Sequence, residues 1–401
     1  MARILSCSTA LALCLWTQAV QADVTPEDVW QNWQALAAST GQDMTFDSAT
    51  RTGDTLKVSG LLLTFTDDMG GSFSANLDQM DFKDNGDGTV AVTMAESYPM
   101  TLAFPQDGEG PTSIKLTVTQ PGLVITAAGS PAETSYDFAA PTVGVKLDEV
   151  VDADGQPLDT RADLVMTDMA ARYLVVSEAE ATQLDSSLSA GSLVLNLSGK
   201  GADGAGEGTI TLSVADLAGT TKGNFLGAEI MANMAAALNA GFTTQRSFNF
   251  GALSLNADIV EAGGPVKLAG TLAGGGFDAA MNKDRMNYAT SFTGGNFTAS
   301  GPEIPFPEVV VGFAETAFSI LMPASKSDTP QDFALVTRLV DVTVSEDVWG
   351  LVDPGAALSR EPATFIFDVK GTGFWKQDIM DPALDMESVE PPGELTSLDL
   401  T

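Results

Sequence analysis

Beyond Gly41 the apolar positions of this chain recur with a period of two. Ile114, Leu116 and Val118 alternate with Ser113, Lys115, Thr117 and Thr119. The same alternation returns in Leu193, Leu195, Leu197, in Ile210, Leu212, Val214, in Leu253, Leu255, Ala257, Ile259, and in Phe365, Phe367, Val369. Successive side chains of a strand point to opposite faces, so each segment predicts a strand with one apolar and one wet face. Turn-forming residues punctuate the pattern at Asn85-Gly86-Asp87-Gly88, Asp154-Gly155, Gly263-Gly264-Pro265 and Gly294-Gly295-Asn296. Short turns between such segments pair neighbours in antiparallel fashion. The predicted fold is mainly β: an extended, curved antiparallel sheet of long meanders and hairpins.

Three places read as helical. Thr25-Pro26-Glu27-Asp28 supplies an N-cap, a proline at the first helical position and early acids. Val29, Trp33 and Leu36 follow on one stripe, flanked by Trp30 and Ala37, and Gly41 closes the helix. Phe225–Ala240 carries Ile230, Met234 and Leu238 at a spacing of four and ends at Gly241, which predicts a link between two β-rich halves or a plug against a sheet. Ser345-Glu346-Asp347-Val348-Trp349 reads as one capped turn closed by Asp353-Pro354-Gly355. Glu308–Met322 fits either period, and its run of three valines favours strand, because β-branched residues lose rotamer freedom in a helix.

The first 22 residues follow another pattern. Arg3 is a short positive start, Ile4–Trp16 is apolar, and Val20-Gln21-Ala22 precedes acidic Asp23. This predicts a cleaved secretory signal at 1–22 and a periplasmic destination. Leu13 before Cys14, and the lack of an apolar run before Cys7, argue against a lipoprotein signal. Nothing later in the sequence is long and apolar enough to predict an integral span after signal cleavage. The remaining organisation reads as a first β-rich region over 23–240, with a leading and a closing helix, a second over 241–390, and the start of a truncated C-terminal β segment over 391–401, after Pro391-Pro392-Gly393.

Composition narrows the chemistry. The formal net charge is −34, which disfavours nucleic acid as a partner. There is no histidine, and both cysteines, Cys7 and Cys14, lie in the signal segment. Serine–histidine, cysteine–histidine and histidine–zinc mechanisms are therefore closed to the mature chain. Gly199-Lys200-Gly201-Ala202-Asp203-Gly204 fits a dinucleotide fingerprint, but a strand pattern at Thr209–Val214 follows where a helix is needed, so it predicts a hairpin loop. In a calcium-loop frame around Asp84–Gly88 the first and last ligand positions fall on Lys83 and Met94; around Asp152–Gly155 they fall on Val150 and Arg161. Both read as hairpin turns. Lys57, Lys115, Lys146 and Lys370 lie in strand patterns, away from any serine–lysine motif. No catalytic, cofactor-binding or metal-binding residue is assigned, and no cofactor is expected.

The helix Asp28-Val29-Trp30-Gln31-Asn32-Trp33, the turn Asn85-Gly86-Asp87-Gly88-Thr89-Val90, the stretch Gln120-Pro121-Gly122-Leu123 and the late Val348-Trp349-Gly350-Leu351-Val352-Asp353-Pro354-Gly355 together resemble the bacterial family called domain of unknown function 2125. These landmarks are structural, and the resemblance implies no activity, catalytic residue or cofactor. It implies a further β-rich segment beyond a Pro-Gly linker. The expected function is a non-enzymatic binding or scaffold role in the cell envelope, with an envelope protein or lipid as partner and acyl chains held on an apolar sheet face. The phenylalanines and the Met231/Met234 region could line such a groove or form an ordinary core. The alternatives are a carboxylate-dependent hydrolase of envelope glycans and a calcium-stabilised assembly module.

Overall fold

The structure is a computed structural model that describes residues 23–39, 41–67, 70–105, 112–177, 181–200, 206–261, 263–378, 380–381 and 395–400. The predicted signal segment, 201–205 of the Gly-rich stretch and the predicted linker at 391–394 lie outside the described residues.

The chain is mainly β, and the 21 strands among the described residues form one antiparallel sheet. Several consecutive strands are collinear halves of one longer strand. The first rung is β1 (Asp43–Thr45) with β2 (Ser48–Thr52), and both pair with β3 (Thr55–Thr66). β4 (Ser72–Asp84) follows, then a rung of β5 (Thr89–Met94) with β6 (Ser97–Phe104). The next rung is β7 (Thr112–Thr119) with β8 (Val124–Ser130). Four unbroken strands come next: β9 (Glu133–Val151), β10 (Thr160–Ser177), β11 (Thr182–Lys200) and β12 (Glu207–Phe225). Two split rungs follow, β13 (Thr244–Phe250) with β14 (Leu253–Glu261), and β15 (Gly264–Leu272) with β16 (Gly274–Met281). The meander continues through β17 (Met286–Ser300), β18 (Val309–Met322), β19 (Gln331–Val344), β20 (Ala363–Gly373) and β21 (Leu395–Leu400).

Each rung therefore pairs with its sequence neighbours, without a crossover. No described pairing joins the first rung to β21. The ladder runs on through the linker at residue 240, where β12 pairs with both β13 and β14. The ambiguous segment at Glu308–Met322 is a strand, as its valines indicate.

Helices are few among the described residues. α1 (Pro26–Ser39) is capped reciprocally: the Asp28 amide donates to Thr25 Oγ1 at 3.2 Å, and the Thr25 amide donates to Asp28 Oδ2 at 3.0 Å. Gly41 closes it at φ +74°. The predicted stripe needs one correction. Val29, Trp30 and Ala37 are buried and Trp33 is half-buried, but Leu36 is 61% exposed. The apolar arc is rotated toward Trp30. The predicted helix over Phe225–Ala240 is instead two short pieces, α2 (Ala228–Met231) and α3 (Met234–Asn239), because Asn233 starts a new helix by accepting from the Ala236 amide. The predicted turn near Ser345 is α4 (Glu346–Val352).

Two cores hold the helices to the sheet. Under α1, Val29 and Trp30 pack on Leu56, Val58, Met80, Phe82, Val90, Val92, Ile125 and Tyr136. Trp30 meets the Phe46 ring edge-on at 5.2 Å, and Trp33 meets Phe82 at 5.7 Å. The second core is smaller. Ala237, Leu238 and Phe242 close on Ala324, with Met231, Met234, Met281 and Met380 around them.

Candidate functional site

Register places most apolar residues of the rungs on one face. In the half of the sheet nearest α1 and α3, the cross-strand sequence runs Phe138–Ala171–Leu188–Gly219–Phe248–Phe277–Thr290–Phe318. In the other half it runs Val145–Leu164–Leu195–Leu212–Leu255–Gly270–Phe297–Val311. Directly opposed residues share a face, so each run is a continuous apolar band. The reverse side is polar and carries ion pairs such as Arg172–Asp137, Lys222–Asp185 and Lys267–Asp258.

A seam separates the two bands. In β11 the apolar face uses Leu184 and Leu188, then Leu193, Leu195 and Leu197, so its phase moves by one residue mid-strand. β3, β4, β10, β12, β17 and β19 shift likewise. At or beside the shift in each of these six stands a residue off the strand conformation. Gly60, Asp78, Asp168, Asp216, Gly294 and Asp341 have φ between 51° and 67°. Pro141, which has no N–H to give a ladder, lies opposite Asp168. Elsewhere the rung simply breaks, at 251–252 and at Ala273. The core under α1 contains Val58 together with Leu61, and Met80 together with Leu77. Residues before and after the shift thus lie on the same side, and the kink keeps the apolar face continuous. Gly294-Gly295-Asn296, predicted as a turn, is one of these kinks inside β17. Gly294 supplies the positive φ, and the bare Cα of Gly295 makes room for the Phe313 ring.

Only part of this face is covered. α1 sits over β3, β4, β5, β8 and the start of β9, and α2–α3 cap one end near Met281. From β10 to β21 no described element lies over the remainder. Tyr173 is 41% exposed, Phe277 39% and Tyr288 41%, with Leu188, Phe318, Leu339 and Phe367 comparable. Their rings touch one another sideways: Phe138 meets Tyr173 at 5.7 Å, Phe248 meets Phe277 at 5.8 Å, and Tyr288 meets Phe318 at 6.4 Å. This band, over which no described element lies, is the candidate site.

The other predicted features resolve locally. Asp84 Oδ1 accepts from the Gly86 amide at 2.8 Å, and Asp87 Oδ1 from the Thr89 hydroxyl at 2.7 Å, within the β4–β5 turn. The Thr89 hydrogen bonds hold the Asp87 carboxyl below its ordinary pKa. Asp152 Oδ1 accepts from Gln156 and Asp154 in the same manner. Lys200 ends β11 opposite Glu207 and pairs with Asp159 at 2.8 Å, where a hairpin was predicted. Lys57, Lys115, Lys146 and Lys370 all lie in strands; Lys115 pairs with Glu149 and Lys370 with Asp368. Met231 and Met234 belong to the small core and do not line the open face. Among the described residues no group of three or more Asp and Glu side chains could hold a metal ion.

Depressions among the described residues include three over the polar side. One, of about 790 Å³, runs across the ends of β10–β13 and β16–β18 and mixes Lys222 and Arg285 with Asp185, Gln245 and Leu321. A second gathers Asp159, Glu207 and Asp258 beside Arg161 and Lys200, with no aromatic ring in its wall. The Lys200 hydrogen bond and charge push Asp159 down in pKa, away from what a general acid needs.

Of the four stretches that carry the resemblance, three converge on the helix-covered corner: Asp28–Trp33 in α1, Asn85–Val90 beneath it, and Gln120–Leu123 at the seam, with Leu123 packed on the same core. The fourth forms α4. No family model, curated protein or solved structure matches the chain.

Proposed function

We propose that this is a non-enzymatic envelope protein that holds hydrocarbon chains on the open part of its apolar sheet face. One observation carries the reading: the apolar face continues from β10 to β20 with no described element over it. Its backbone groups are already spent in the ladder, and apart from Arg246 its side chains inside the strands are aliphatic, aromatic or small. A ligand lying there finds almost nothing to hydrogen-bond. Hydrocarbon suits that surface, since a polar occupant would lose water without compensation. The secretory pattern of Met1–Ala22 supports an exported setting. The carboxylate-hydrolase and calcium readings gain no comparable observation.

The test is extraction of the intact protein, purified from an envelope-containing host without detergent, followed by mass spectrometry. Stoichiometric acyl lipid is expected, and Phe277→Asp together with Phe318→Asp should remove it while the fold persists. Protein that carries no lipid and takes up no fluorescent fatty acid overturns the reading. So does a stable dimer that buries the same face, in which a second copy is the occupant.

A further inference from the structure

Arg246 is the one cation within the strands of the uncovered apolar face, and Glu261, at the end of β14, is the one acid. By register Arg246 lies opposite Thr221 on β12 and Ala279 on β16, in the same row of side chains as Phe248 and Phe277 one step along. Every other charged residue of β10–β20 falls on the polar side, in the seam, or at a strand end. Arg51, Arg172, Arg338 and Arg360 each hold an acid. Arg246, which is exposed, holds none among the described residues. In a chain of net charge −34, an arginine left without an acid on its greasiest surface is a specific feature. A guanidinium offers a fork of donors matched to a carboxylate, and it is weakly hydrated.

We infer that Arg246 fixes the carboxylate of a free fatty acid whose chain runs from it across the seam. This rests on the acyl-binding reading above. Two features set the direction and the class of ligand. Thr244 and its opposite Met281 lie one step beyond Arg246, and Met281 is already packed into the core closed by α3. A small head group fits against that stop, whereas a phospholipid head would have to pass it. In the other direction Phe248 and Phe250 lead to Leu253, Leu255, Ala257 and Ile259. At about 3.4 Å per residue the strip from Arg246 to Ile259 is about 40 Å long. An acyl chain that reaches half of a bilayer core of about 30 Å is accommodated.

The experiment compares cis-parinaric acid with its methyl ester, binding to the full chain and to Arg246→Gln. The wild type should prefer the acid by about tenfold, as expected for one charge-assisted hydrogen-bonded pair, and added salt should erode the preference. R246Q should lose that preference and bind the ester as the wild type does, and Arg246→Lys should recover part of it. Equal preference for the acid in wild type and R246Q overturns the role of Arg246 but leaves the acyl reading standing. If neither probe binds the wild type, both fall. Tighter binding of a fluorescent phosphatidylglycerol than of the free acid overturns the choice of ligand.

Discussion

The carboxylate of Asp168 lies over Gly191 on the neighbouring strand, 3.0 Å from where a Cβ of that glycine would stand. Asp216 bears the same relation to Gly251, also at 3.0 Å, and Asp47 closes still nearer on Gly60. These pairs make the seam. In the first two an aspartate bends its strand out of the β conformation and a bare Cα opposite makes room for its side chain; in the third Gly60 itself takes the bend. The strictest position is Gly60, which has both φ +67° and the Asp47 carboxylate against it. Gly60→Ala should destabilise the protein by roughly 1–3 kcal/mol. Gly191→Ala, where only the end of the Asp168 side chain must give way, should cost less than about 1 kcal/mol. Urea melts of the two variants check the order.

The aspartates of the seam tolerate left-handed backbone better than most residues do. Asp168 has φ +51° within an 18-residue strand. Asp168→Gly should therefore be near neutral in thermal melting, while Asp168→Val should lose about 1–2 kcal/mol from the conformation alone. Equal melting of the two variants would show that the kink is not what Asp168 supplies.

Beneath α1 the burial pattern separates two apolar residues of one helix. Trp30 is buried between Phe46 and Phe82, and Leu36 is 61% exposed. Trp30→Ala should cost about 3–5 kcal/mol. Leu36→Ala should stay within about 0.5 kcal/mol. Calorimetry on both variants tests whether α1 is a structural lid over this corner.

The strand pattern was open to reading because a half-buried strand writes its two faces into alternate residues. β7, β11, β12, β14 and β20 all follow it. The seam was harder to see. Thr167-Asp168-Met169 and Ala215-Asp216-Leu217 place an aspartate between two strand segments of opposite phase, and each segment reads as a good strand by itself. Only pairing shows that both phases serve one face. Gly294-Gly295 has the composition of a turn, and glycine serves a mid-strand kink equally well. The open face had no sequence signature of its own. Leu193 in an uncovered strand and Val92 under α1 have the same alternation, and which of them is covered depends on where a distant helix docks. Arg246 was invisible for the same reason, since a lone arginine in a strand pattern has no face until its register is known.

Asp353 organises the connection between β19 and β20. It accepts from the Leu358 amide at 2.7 Å, from Arg360 at 2.8 Å and from the Ala357 amide at 3.1 Å, and Arg360 in turn lies over the Trp349 ring at 4.5 Å. The Leu358 amide first, then Arg360 and Ala357, hold the Asp353 carboxyl below its ordinary range. A carboxyl depressed in the folded state contributes stability above its unfolded pKa, near 3.9, and loses it as pH falls through the folded value. The loop should therefore loosen only below about pH 4. Amide exchange at Ala357 and Leu358 should rise there, and Asp353→Asn should show faster exchange already at pH 7. Slow exchange in that variant would place the order of the loop in α4 instead.

The covered and open parts of the apolar face should respond differently to the same chemistry. Phe82 is fully buried beneath Trp30 and Trp33, whereas Phe277 lies in the open band at 39% exposure. Phe82→Ser removes a buried ring and leaves a hydroxyl among Val58, Val92 and Met80, so it should cost at least about 3–5 kcal/mol. Phe277→Ser loses only sideways contact with Phe248 and should cost about 1 kcal/mol or less. In return it removes exposed apolar surface, so the ligand-free protein should become more soluble and bind less of a hydrophobic dye. If instead Phe277→Ser unfolds the protein as readily as Phe82→Ser, the open band is covered in solution and its ordinary occupant is part of the folded state. Melting before and after delipidation separates the two cases: a bound hydrocarbon that stabilises the native state raises the wild-type transition by mass action, and Phe277→Ser should forfeit most of that increment.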